Sequence, residues 1–154
     1  MATIGSYTLL AAFIVCAYAI AVSVAGARRR SLQLVESGVG AFYSVTALMT
    51  LASAIIVYAF VTEDYSIRYV DRYSDSVQPL FYKLTSYWGG LDGSIMFWVF
   101  LLSVFGAIAV KTNRESQREL IPYVVAVVGA VQLFFLFVMI VHNDPFATYL
   151  TEAP

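Results

Sequence analysis

Leu120-Ile121-Pro122-Tyr123-Val124-Val125-Ala126-Val127-Val128-Gly129-Ala130-Val131-Gln132-Leu133-Phe134-Phe135-Leu136-Phe137-Val138-Met139-Ile140-Val141 contains no Asp, Glu, Lys, Arg or His. A bilayer core requires about 20 such residues in a helix, and hydrocarbon offers no partner for an unpaired backbone amide, so this stretch is a transmembrane helix. Its proline stands at the start, where a missing N–H does no harm. Three more runs read the same way, over residues 7–26, 38–61 and 93–110. The whole chain of 154 residues is 60% apolar and 12% charged, well below the roughly 25% charge of a soluble domain. The expected fold is therefore all-α, a single polytopic membrane domain over residues 1–154. It has four transmembrane helices and a long outer loop, 62–92. The net charge of −1 leaves no phosphate footprint for nucleic acid, and one cysteine, Cys16, makes no disulfide framework.

Lys and Arg set the orientation. Arg28, Arg29 and Arg30 follow the first run, and Lys111, Arg114 and Arg118 separate the third from the fourth. Only Arg68, Arg72 and Lys83 lie in the loop 62–92. Six against three places both short basic loops inside, with both termini and the long loop outside. Ala25-Gly26-Ala27 imitates a signal-peptidase site. However, no basic residue precedes the first run and the arginine triplet follows it, so this run is read as an uncleaved helix.

The spans carry little chemistry. An intramembrane charge would signal transport or proton relay, and none of the four runs has one. A small multidrug-type transporter has four spans but requires a buried acid. Gln132 is expected to make an interhelical hydrogen bond, and Cys16 to pack as a small apolar residue. Ala17, Ala21 and Ala25 in the first span, and Thr46, Thr50 and Ala54 in the second, form small-residue stripes suited to close helix packing. His142, at the outer end of the fourth span, is a weak metal-ligand candidate without a second ligand in register. No catalytic constellation is complete, so the catalytic residues are expected to be none.

The loop is richer. Tyr65, Ile67 and Tyr69 alternate with Ser66, Arg68 and Val70, which predicts a short extended piece. Leu80, Leu84 and Trp88 recur every four residues, which predicts a short helix with one apolar face lying on the membrane. Gly89-Gly90 is expected to end it, with left-handed backbone angles open to glycine. Asp92 is expected to cap the third transmembrane helix. Trp88 and Trp98 bracket this turn.

Tyr82-Lys83-Leu84, then Trp88-Gly89-Gly90-Leu91-Asp92-Gly93-Ser94 and Trp98, resemble the N-terminal region of the CcmF/NrfE family, the cytochrome c heme lyase membrane subunit. Asn143-Asp144-Pro145-Phe146 is similar to the Ser-Asn-Pro-Phe that the family carries after the fourth span. The resemblance extends from about Tyr7 to Phe146. Where the family has His or Gln and then Glu before the last glycine, this chain has Leu91 and Asp92.

The resemblance implies an N-terminal membrane subunit in cytochrome c-type biogenesis, a split CcmF whose remaining segments are separate chains. It implies heme binding and heme transport in the complete complex, with the heme ligands on another chain and no catalysis by this chain alone. Heme would be positioned for thioether attachment to Cys-x-x-Cys-His apocytochromes. The implied partners are the heme chaperone CcmE, the apocytochrome-handling CcmH and apocytochrome c, in a bacterial or archaeal cell membrane. Trp88, Gly89, Gly90, Asp92, Gly93, Ser94 and Trp98 would be the heme-handling or structural motif. The alternative is a non-enzymatic assembly or structural subunit of another respiratory membrane complex.

Overall fold

A computed structural model describes residues 1–149. Four long helices, α1 (Ala2–Arg29), α2 (Leu32–Val61), α5 (Leu91–Asn113) and α6 (Ile121–Val141), are long and apolar enough to cross a membrane. Two short ones, α3 (Arg68–Tyr73) and α4 (Leu80–Thr85), lie between α2 and α5, and α4 runs on into a 3₁₀ turn over Ser86–Trp88. Among the described residues there is no strand, only one isolated bridge between Ile67 and Thr148. The fold is all-α, as expected.

The helices outrun the apolar stretches that nucleate them. At 1.5 Å per residue, the 30 residues of α2 reach about 45 Å, beyond the roughly 30 Å hydrocarbon core. The hydrogen-bond ladder continues until a cap stops it. α1 ends only at Arg30, whose left-handed conformation (φ 51°) directs its N–H to Ala27 and that of Ser31 to Gly26.

α1 packs on α2, α2 on α5, α5 on α6 and α6 on α1. The buried positions of α1 include Gly5, Leu9, Ala12, Cys16, Ala19, Ser23 and Gly26. Those of α2 include Gly38, Phe42, Val45, Met49, Ala52, Ile56 and Ala59. Both sets step by alternating threes and fours, the spacing of left-handed helix packing. α6 continues the pattern with Pro122, Val125, Gly129, Gln132, Leu136 and Met139. The expected small-residue stripes are therefore corrected. Ala21, Thr50 and Ala54 are exposed, and the packing seam of each helix runs beside them. Close approach is real but occurs elsewhere: a Cβ on Gly38 would lie 2.1 Å from Ser23 Oγ.

Inside the bundle Gln132, Ser103 and Cys16 find partners, whereas Ser23 Oγ and Tyr43 Oη are buried without one among the described residues. Gln132 Nε2 donates to Ser103 Oγ at 2.8 Å, and Ser103 donates onward to the Val99 carbonyl at 2.8 Å. Gln132 thus makes the interhelical bond its position calls for, linking α6 to α5. Cys16 does more than pack: its thiol donates to the Gly129 carbonyl at 3.2 Å, tying α1 to α6.

Candidate functional site

The segment 62–90 folds around Tyr69. The expected extended piece is confined to Ile67, because Asp64 Oδ1 accepts the Ser66 N–H at 3.3 Å and turns the chain, and α3 begins at Arg68. Tyr69 therefore sits on a helix, 3% exposed, with its ring edge-on to Phe60. Its hydroxyl accepts the Gly90 N–H at 3.0 Å and lies 3.1 and 3.2 Å from the Ser86 and Tyr87 carbonyls, to which it donates. One phenol thus satisfies the chain break between the 3₁₀ turn and α5.

This explains the glycines differently from the sequence expectation. Neither Gly89 nor Gly90 has a positive φ (−74° and −113°). What Gly90 and Gly93 supply is room. A Cβ on Gly90 would lie 2.4 Å from the Tyr73 ring and 2.8 Å from Tyr69. One on Gly93 would lie 2.0 Å from the Tyr87 carbonyl oxygen and 2.3 Å from the Tyr69 hydroxyl. Gly89, whose nearest neighbour would be 3.5 Å away, has no such constraint. Tyr87, 5% exposed, shares a 2.6 Å hydrogen bond with Ser53 of α2 and stacks edge-on to Phe97. Ser94 donates to the Trp88 carbonyl at 2.7 Å, closing the turn onto α5.

Asp92 is not the cap. Gly90 holds that position without a side-chain bond, and Asp92 falls in the first turn, where its charge still suits the helix dipole. Its Oδ1 accepts from Asn143 Nδ2 at 2.8 Å. Asp144 Oδ2 accepts from Ser6 at 2.8 Å, and its Oδ1 accepts the Phe146 N–H at 2.9 Å. The Phe146 ring is buried against Gly5. The turn 143–146 therefore fastens the end of α6 to the starts of α5 and α1. The backbone beyond it runs along the head of α3, with Arg68 N–H on the Ala147 carbonyl at 3.0 Å.

At this junction lies a cavity of about 340 Å³, lined by Arg68, Arg72, Asp92, His142, Asn143 and Asp144 among others. Of the residues singled out in the sequence, Tyr69, Leu91, Asp92, His142, Asn143 and Asp144 reach it. Gly90 and Gly93 do not line it but pack against Tyr69, which does. Trp88 and Trp98 are 48% and 66% exposed and face away from the bundle. Leu80, Leu84 and Trp88 share an exposed apolar face, with α4 covering six residues of the expected helix.

Burial pushes the Tyr69 hydroxyl up to about 12, against the opposing pull of the Gly90 N–H, and Tyr87 likewise to about 12. Both stay neutral hydrogen-bonding groups at ordinary pH. Sequence reasoning missed Tyr69, which looks like any other loop tyrosine. It also missed the half-buried ion pair of Lys83 with the left-handed Glu63 (φ 57°). A charge in a loop carries no signal of burial. Among the described residues no group of His, Cys, Asp and Glu is placed to hold a metal ion.

These features define a four-span membrane protein whose two turn motifs interlock at one end of the bundle. No protein-family model matches the chain. It is 31% identical over 150 residues to the cytochrome c-type biogenesis protein ccl1 of Rhodobacter capsulatus, covering 97% of this chain and 23% of that one. It is 24% identical over 154 residues to the cytochrome c-type biogenesis protein CcmF of Haemophilus influenzae, covering all of this chain and 24% of that one. A solved structure titled cytochrome c heme lyase CcmF has the same fold over 94% of this chain and 24% of its own, with a TM-score of 0.86 at 22% identity. The chain belongs to the CcmF/NrfE family of cytochrome c-type biogenesis proteins. It spans about a quarter of the length of the curated relatives it matches.

Proposed function

We propose that this chain is a scaffold portion of a cytochrome c heme lyase, holding the outer wall in place while residues outside these 154 ligate heme. The observation that carries the reading is the Asn143–Asp92 hydrogen bond. It joins the two motifs that resemble the family, 51 positions apart in sequence, beside a cavity edged by Arg68, Arg72 and His142. Heme iron takes His, Cys, Met or Tyr as axial ligands. His142 is the one histidine of the chain and is exposed, and charged side chains rim the cavity, where a porphyrin plane needs apolar walls. The residues here do not fit a resident heme by themselves. Their contribution is positional: α5 and α6 are locked in register, and the tryptophans are presented on the outside of the bundle.

In this reading the end carrying Arg28, Arg29 and Arg30 is cytoplasmic and both termini are periplasmic, as the lysine and arginine bias requires. A cysteine at Ser76, in a Cys16→Ala background, reacts with a membrane-impermeant maleimide in intact spheroplasts, and one at Ser116 does not. The reverse pattern inverts the topology.

The functional test is holo-cytochrome c per unit of assembled complex. Asp92→Asn keeps an acceptor oxygen for Asn143, whereas Asp92→Ala and Asn143→Ala remove the link. Asn retains most maturation, and the two alanines lose it alongside complex abundance. Loss with Asn at normal abundance would show that the charge itself acts, and the scaffold role would fail at this residue.

A further inference from the structure

The 3₁₀ turn after α4 stands beside the first turn of α5, not above it. A Cβ on Gly93 would lie 2.0 Å from the Tyr87 carbonyl oxygen, and Ser94 donates to the Trp88 carbonyl at 2.7 Å. Tyr87 and Trp88 are therefore level with Gly93 and Ser94. The Tyr87 hydroxyl reaches Ser53, which lies well inside α2, about 12 Å before its end at 1.5 Å per residue. The Trp88 ring packs on Phe97 of α5, with centroids 5.5 Å apart.

That level is the edge of the hydrocarbon. A core of roughly 30 Å takes about 20 helical residues. Counted from Lys111, the charge near the far end of α5, they run out at Leu91. Two features suit lipid and not water. The turn satisfies its own backbone, as hydrocarbon demands. Tyr69 Oη accepts the Gly90 N–H and donates to the Ser86 and Tyr87 carbonyls, Ser94 serves Trp88, and the Gly89 N–H returns to Ser86 at 3.2 Å. The charge is also turned away from solvent. Lys83, the single charge between Leu80 and Trp88, is 6% exposed and paired with Glu63, while Phe81 is 70% exposed, with Leu80, Tyr82 and Trp88 open beside it.

We propose that α4 and the 3₁₀ turn seat in the lipid leaflet at this end of the bundle, with Phe81, Leu84 and Trp88 below the headgroups and Tyr82 among them. Tyrosine and tryptophan favour that boundary, and an amphipathic helix binds a bilayer through its apolar face. The seat needs no particular headgroup. It keeps the turn that carries Gly90, Asp92 and Gly93 at the membrane surface, held by lipid on one side and by Tyr69 on the other. It requires only that the chain spans a bilayer, so it stands or falls apart from the heme lyase reading.

The chain has two tryptophans, which makes depth readable. Trp98 stands on the spanning helix α5 and serves as the ruler. The full chain, as Trp98→Phe or Trp88→Phe, is reconstituted in nanodiscs of phosphatidylcholine, plain or brominated on the acyl chains. With bromine near the glycerol end, Trp88 emission falls by the same factor as that of Trp98. Bromine near the methyl end quenches Trp88 less, and aqueous iodide spares both. Strong quenching of Trp88 by iodide would put the turn in water, and resistance to both quenchers would put it under a second copy of the chain. Either result overturns the proposal. A nitroxide attached at Phe81→Cys, in a Cys16→Ala background, reads the start of the same face without altering a tryptophan. It relaxes with oxygen more than with a water-soluble nickel chelate, in the chain alone and with the remaining family segments co-expressed. Relaxation that favours the chelate, or that is lost on co-expression because protein covers the face, would equally overturn it.

Discussion

Gly93→Ala places a methyl group 2.0 Å from the Tyr87 carbonyl oxygen and 2.3 Å from the Tyr69 hydroxyl. The first neighbour is backbone, so no rotamer change relieves it. Forcing a group into a packed site costs about 1–3 kcal/mol. Here the displacement also stretches the hydrogen bonds of Tyr69 to Gly90, Ser86 and Tyr87, each worth about 0.5–1.5 kcal/mol. A loss near 3 kcal/mol is expected. At roughly 2–4 °C per kcal/mol for a chain of this size, thermal unfolding in detergent falls by about 6–12 °C. Gly89→Ala is the internal control. Its backbone is helical (φ −74°, ψ −23°), a Cβ meets nothing closer than 3.5 Å, and the entropy taken from the unfolded chain stabilises by about 0.4–1 kcal/mol. Gly90→Ala falls between them, because the exposed Tyr73 ring can swing aside and the buried Tyr69 ring cannot. Intrinsic tryptophan fluorescence during heating reports all three, since Trp88 adjoins the turn. If Gly93→Ala melts with the wild type, or Gly89→Ala is the worse of the pair, the close-approach explanation of these glycines is refuted.

Glu63→Ala strands the buried Lys83 ammonium and destabilises by about 2 kcal/mol, less than the 3–5 of a fully buried pair because Glu63 is 36% exposed. The double variant with Lys83→Met recovers most of this, and a thermodynamic cycle without coupling would refute the pairing. Tyr69 and Tyr87 have folded pKa values raised to about 12, so the stability they contribute is complete below pH 10 and declines as pH rises through 12. Absorbance at the phenolate band should show exposed tyrosines ionising first and these two last, together with unfolding. If they titrate with the exposed ones, their burial is wrong. Purified alone, the chain is expected to show no substantial Soret band. A strong band whose ligand signal vanishes in His142→Ala would make His142 an axial ligand.

The bundle itself was legible because membrane insertion is decided locally. Charge-free runs of sufficient length must become helices, and each of the four observed helices covers its run to within one residue and extends at most six residues beyond it. The Leu80–Trp88 helix was readable for the same reason, as a short periodic run between a proline and two glycines. The packing seams were not. In a soluble helix the polar face identifies the inside by contrast, but in an apolar helix all faces look alike. Ala17-Ala21-Ala25 and the neighbouring Gly5-to-Gly26 seam are equally good stripes until a second helix selects one. The motif residues divided in the same way. That glycines and an acid stand between Trp88 and Trp98 is visible in the sequence. That Gly93 yields space to Tyr69, and Asp92 receives Asn143 instead of capping its own helix, follows from segments far apart in the chain being folded against each other. Long-range hydrogen bonds and buried charges such as Lys83 leave no periodic trace, because periodicity records only how an element meets its surroundings, not which partner it meets.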